Sequence, residues 1–249
     1  MLKTTAQRAI QGRQAQLLGA VEALAQLGYY RMIHEMSALN MAEYAEEPHV
    51  EAPRTEAGSK SEPGLTGMLL RDLALVFGAL SLWAAADTWY VVTGLWFAMV
   101  VAVGDAILVG LLLAALAHEW GHYLGAVRSD AKAQRVTPKG LSLFRFDFDY
   151  QANSHHQFHM MTLGGHMLHW SMLLLLVVAL PLDTLPRIAL VSAVFAFVVF
   201  ASFIEYNITK DTRAGADPGE RLAALSADDF RHATVVGGIA GLFAMAALS

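Results

Sequence analysis

The chain has no cysteine, which excludes disulfides, thiolate nucleophiles and thiolate metal ligands, so any metal must be held by histidine and carboxylates. Charge is scarce too. Only 16% of the 249 residues are charged while 55% are hydrophobic, outside the usual balance of a soluble domain. A net charge of -5 without basic clusters gives no footprint for nucleic acid, and none is expected as a partner. The start of the chain lacks the long apolar core of a secretory signal, and Glu22, Glu35, Glu43, Glu46 and Glu47 do not suit a transit peptide, so neither is expected. No internal repeat is visible.

What is present in quantity is apolar sequence. Tracts run from Leu65 to Ala86, Trp89 to Gly104, Asp105 to Gly125, Phe158 to Leu180, Arg187 to Tyr206 and Thr234 to Leu248, most of them near the roughly 20 residues that cross a bilayer as helix. The predicted fold is an all-α polytopic membrane protein with five or six transmembrane helices, a short β-hairpin and an extramembrane helical N-terminus. Trp89 to Gly104 is the short tract, a half-span or part of a bent helix. Lys and Arg gather before Arg71, between Arg128 and Arg145, and between Lys210 and Arg231, segments that the positive-inside tendency places in the cytoplasm. That arrangement requires Thr88 to Gly125 to cross only once. The expected location is a bacterial inner membrane, with the N-terminus cytoplasmic.

Three parts follow. Residues 1–47 are rich in Ala, Gln, Leu and Glu, with Leu17, Leu18, Val21, Leu24 and Leu27 at helical steps; this amphipathic segment is suited to packing on its own domain, a sister copy or another protein. Residues 48–64 change to Pro, Glu, Ser, Gly and Thr, a linker composition. Residues 65–249 form the membrane domain. Within it Val136 to Gly140 reads as a turn, and Leu141 to Tyr150 as a strand or hairpin, whose open edge could receive an extended peptide.

The chemistry is concentrated at His118-Glu119-Trp120-Gly121-His122. Residues four apart share a helix face, so both imidazoles can reach one cation at about 2 Å, and Glu119 stands beside the first to take a proton from water. Ionisable groups at membrane depth are costly unless they have a use. Two histidines do not complete a zinc site. A third protein ligand must come from elsewhere, and Asp211, Asp217, Glu205 and the histidines at 155, 156, 159, 166 and 169 are the candidates.

From about Asp105 to the C-terminus the order of elements resembles the site-2 protease family of intramembrane zinc metalloproteases. His118 to Ala126 looks like the family's HExxH helix with its small residues. Leu163-Gly164-Gly165-His166-Met167-Leu168-His169-Trp170 stands where the family has Gly-Pro-x-x-Asn, and Asn207 with Asp217-Pro218-Gly219-Glu220-Arg221-Leu222 where it has Asn and Leu-Asp-Gly-Gly-Arg. The resemblance implies one zinc on His118, His122 and Asp217, with Asp211 second in line for the last position. It implies that Glu119 acts as general base and acid on water whose pKa zinc lowers from 15.7 towards about 7. It also implies that His169, replacing the Asn, donates to the developing oxyanion. The substrate would be a transmembrane or membrane-proximal peptide. Asp-Pro-Gly-Glu at Asp217 is equally a good helix start.

Two other functions stay open. His118, His122, His155, His156 and His159 also suit a membrane di-iron oxygenase or desaturase with two iron ions, although its third histidine box is missing and His232 stands alone. The altered Gly-Gly segment and the unusual N-terminus would also suit a catalytically inactive protease-like subunit that binds a partner.

Overall fold

The computed structural model describes residues 64–136 and 145–249. The N-terminal segment, the linker up to Pro63 and most of the turn expected at Val136 to Gly140 lie outside them. The described residues form α1 (Leu65–Thr93), α2 (Trp96–Arg128), β1 (Ala133–Arg135), β2 (Phe146–Phe148), α3 (His155–Ala179), α4 (Leu185–Arg213), α5 (Pro218–Ala223) and α6 (Ala227–Leu248). Five of these helices are long and apolar enough to span a membrane. The chain is an integral membrane protein.

Local chemistry sets the helix ends. Gly94 stops α1 in the left-handed region, at φ 65°, where a Cβ would be strained. Ser154 and Gln157 close a capping box on α3, and Ser226 and Asp229 do the same on α6. Thr184 caps α4, with Pro186 in its first turn. The tract from Trp89 to Gly104 is therefore not a sixth span. Its first residues finish α1, Gly94 and Leu95 turn the chain, and the remainder joins the Asp105 tract in one 33-residue helix, α2. Asp105 does not interrupt that helix, because one carboxylate leaves the backbone ladder intact. At ~1.5 Å per residue α2 is about 50 Å long and outreaches a hydrocarbon core of ~30 Å.

Cross-helix contacts fix the directions of the spans. Trp120, near the end of α2, donates to Asp72 near the start of α1 at 3.0 Å, and His159 near the start of α3 meets Thr212 near the end of α4 at 3.0 Å. At the opposite end the Arg187 Nε donates to Asp87 Oδ2 at 2.8 Å, while the Thr184 hydroxyl donates to Oδ1 at 3.1 Å. Arg71, Arg128, Arg145, Lys210 and Arg231 thus belong to one end of the bundle, and Thr88 to Gly125 passes through only once, as the charge pattern requires.

The expected hairpin is an antiparallel pair, with Ala133 opposite Phe148 and Arg135 opposite Phe146. Only its second strand comes from the Leu141 to Tyr150 tract. Phe146 stacks on Tyr123 with ring centroids 4.4 Å apart and meets Trp120 edge-on at 5.3 Å, so the sheet packs against the helix that carries the histidine motif.

Where helices meet, glycine sets the spacing. Gly121 and Gly125 of α2 face Gly164, Gly165 and Met160 of α3; a Cβ on Gly125 would run into the Met160 carbonyl, and one on Gly164 into that of Gly121. Gly110 lets α2 meet Leu190 and Ala193 of α4, and Gly237 and Gly241 seat α6 against Ala196 and Phe200 of α4. Lipid offers no hydrophobic drive for such contacts, so close backbone approach and dispersion supply it.

Candidate metal centre

The Gly-to-Gly seam between α2 and α3 brings the motif histidines against α3, and α4 completes the site from the other side. His118 Nε2, His122 Nε2 and Glu205 Oε1 lie 3.0 Å from one another, pair by pair. Among the described residues they are the one group of three such side chains whose ligand atoms converge closely enough to hold a metal. His118 lies about 15 Å inside the Arg128 end of α2, and Glu205 about 12 Å inside the Arg213 end of α4, at ~1.5 Å per residue. The site lies within two helices long and apolar enough to cross a membrane, nearer the basic end.

Hydrogen bonding settles which faces of the rings are free. His122 Nδ1 is 3.0 Å from the Met161 carbonyl, which can only accept, so Nδ1 carries a proton, and in the neutral ring Nε2 presents a lone pair. His118 Nδ1 is 3.0 Å from His169 Nδ1, and the two rings stack at 5.0 Å. With that Nδ1 as the donor, His118 Nε2 is likewise a free lone pair. Two imidazole nitrogens and a carboxylate oxygen at mutual 3.0 Å need a positive charge among them, supplied either by a proton on an imidazole facing Glu205 or by a metal ion. His166 Nδ1 stands 2.8 Å from the other oxygen of Glu205.

Glu119 is buried beside the site and accepts the Arg145 backbone N–H on Oε2 at 3.1 Å. Arg145 is itself held down: its Nε donates to both oxygens of Asp72, at 3.2 and 3.0 Å, and both residues are buried. Trp120 Nε1 donates to the same carboxylate. This network ties α1, α2 and the segment entering β2 together behind Glu119. Asp72→Ala would leave a buried guanidinium without its carboxylate, and an expected loss of about 3–5 kcal/mol would appear in thermal unfolding of the purified protein. Asp183→Ala, which removes a more exposed partner of Arg187, should cost about 0–1 kcal/mol in the same assay.

The remaining candidates are placed as follows. Asp217 does not join His118 and His122. It caps α5, its Oδ1 accepting the Glu220 N–H at 2.8 Å, and it lines an open cleft of about 680 Å³ with Asp147, Tyr150 and Glu220. Burial, with the Asp147 and Glu119 carboxylates nearby, pushes the Tyr150 phenol up to about 12, so it remains a protonated donor. Asp211 pairs with Arg221 at 2.6 Å. His169 is fully buried, with its Nδ1 3.0 Å from that of His118 and its Nε2 without a hydrogen-bond partner. His155 is exposed, and His159 turns to Thr212. Glu205 was one candidate among several because no motif surrounds it; its one sequence signal is a carboxylate deep in an apolar span.

Family models, curated proteins and solved structures contain no match to this chain. Any functional reading rests on the site itself.

Proposed function

We propose that the protein is an intramembrane zinc metallopeptidase of the site-2 protease type, with His118, His122 and Glu205 as the zinc ligands in place of the anticipated Asp217. The observation that carries this is the convergence, at mutual 3.0 Å, of two imidazole nitrogens of an HExxH helix and a carboxylate oxygen of α4. Two His and one Glu with an open fourth position is a donor set of catalytic zinc. The same set serves mononuclear iron(II); a carboxylate next to the first ligand is the arrangement that hydrolysis uses for its general base, and it favours zinc. Zinc, when bound, acidifies water and polarises a carbonyl.

The chain's own groups do the rest. Glu119 keeps Oε2 on the Arg145 amide and has Oε1 for the proton, taking it from the attacking water and returning it to the leaving amine. The Asp72–Arg145 pair restrains that amide, and so holds the base in one orientation. A site about 15 Å inside a span suits a transmembrane or membrane-proximal peptide, and the two-stranded sheet beside Glu119 supports an extended substrate adding at its edge. The basic end of the bundle would be the cytoplasmic one.

The test is cleavage of a panel of transmembrane peptides in liposomes containing the zinc-loaded protein, beside Glu119→Gln. The variant should keep its zinc and lose at least about 100-fold in rate, within the range for a general base. Cleavage unaffected by Glu119→Gln would overturn the mechanism. Elemental analysis that found one or two irons in place of zinc would favour an oxygenase, and a binding function indifferent to Glu119→Gln would favour an inactive subunit.

A further inference from the structure

Five histidines crowd into α3 between 155 and 169, more than one zinc site requires. We infer that His166 and His169 are positioning residues for the single site proposed above, orienting Glu205 and His118, and do not ligate a second metal. The inference rests on that metal-site reading.

Each of the three ligands has an outer partner on α3, and on one face of it. Met161 supplies a carbonyl to His122, His166 faces Glu205, and His169 faces His118. In each contact the atom used is the one that the metal would leave unused. For His122 and His118 that atom is Nδ1, and fixing the proton there holds the ring as a ligand through Nε2. For Glu205 it is Oε2. His166 Nδ1 donates to the Thr162 carbonyl at 3.1 Å and stands 2.8 Å from Oε2, an ion-pair contact without hydrogen-bond geometry. It holds Oε2 aside and leaves Oε1 as the one donor, which keeps the carboxylate monodentate and a coordination position open.

The arrangement depends on Gly165. A Cβ there would lie 2.6 Å from the His122 ring, so only glycine lets α3 come close enough for its carbonyl and imidazoles to reach across. The histidines nearer the start of α3 do not take part, since His159 Nε2 is spent on Thr212 at 3.0 Å and stands nearly two turns before His166.

The experiment compares wild type with His166→Leu, His169→Leu, His166→Asn and His169→Asn as full-length protein in detergent. Zinc content, competitive zinc affinity and the visible spectrum of the cobalt-loaded form are measured for each. Asn places a donor or acceptor close to the lost Nδ1 and Leu does not. The Leu variants should keep one metal per chain with affinity reduced about 10- to 100-fold and a shifted cobalt spectrum, and the Asn variants should recover most of both. That recovery separates a positioning role from misfolding. Leu variants with wild-type affinity and spectrum would overturn this inference while leaving the metal site standing. Two metals in wild type falling to one in the variants would also overturn it. A wild type that binds no metal would instead overturn the reading on which it rests.

Discussion

Glu205→Ala should abolish stoichiometric zinc binding, while Asp217→Ala leaves it intact. The expected loss is on the order of 1,000-fold or more, because one of three protein donors is removed, and structural zinc sites with four donors bind with ~10–16 kcal/mol. His118→Ala and His122→Ala should match it. Asp217→Ala removes an N-cap from the six-residue α5 and should cost only about 1 kcal/mol of stability. Elemental analysis and competition with a chromophoric chelator read both outcomes. Zinc lost with Asp217 and retained without Glu205 would require α5 to swing away from its observed place and would discard the proposed ligand set.

Gly125→Ala should be among the most damaging single methyl additions to the described helices. Its Cβ would collide with the backbone of Met160 and lie 2.9 Å from the Cα of Met161, and a helix backbone cannot move aside as a flexible side chain can. Relief requires α2 and α3 to separate, which would also pull the Met161 carbonyl from His122. A cost of about 3 kcal/mol or more is expected, at the upper end of overpacking penalties, together with weakened metal binding. Gly104→Ala provides the comparison within the same helix. A Cβ at Gly104 meets nothing within 4 Å, so Ala's higher helix propensity should leave stability equal or slightly improved. Thermal unfolding of the two variants in one detergent checks the contrast, and equal melting temperatures would refute the packing argument.

These two expectations mark where sequence reading succeeds and where it stops. Hydropathy found all five spans, because a bilayer requires about 20 consecutive apolar residues and those are visible one residue at a time. The boundary between the first two was missed because Trp89 to Gly104 is apolar throughout, and only the left-handed backbone at Gly94 shows where the chain reverses. His118, Glu119 and His122 were legible because one helical turn brings them together, a relation that spacing encodes. Glu205 reaches them from another helix, through tertiary packing that no local pattern records. Asp217 was drawn in by its surrounding letters, yet Asp-Pro-Gly-Glu is used here for its other meaning, a helix cap. The Gly-Gly pair at 164 and 165 stood out in sequence, and what the fold adds is its purpose of letting two backbones touch.

The two ends of the bundle are built very differently. At one, the chain reverses through Gly94 and Leu95, and again through residues 180–184, where Asp87, Thr184 and Arg187 clamp α1 to α4. At the other are all the longer connections, the sheet, α5 and the shallower approach to His118 and Glu205. The short-turn end is held by an ion pair between two spans, so widening of the site would meet less resistance at the opposite end. Control of the centre, whether by substrate or by a partner, would therefore be exerted from the end of the bundle where the basic residues gather.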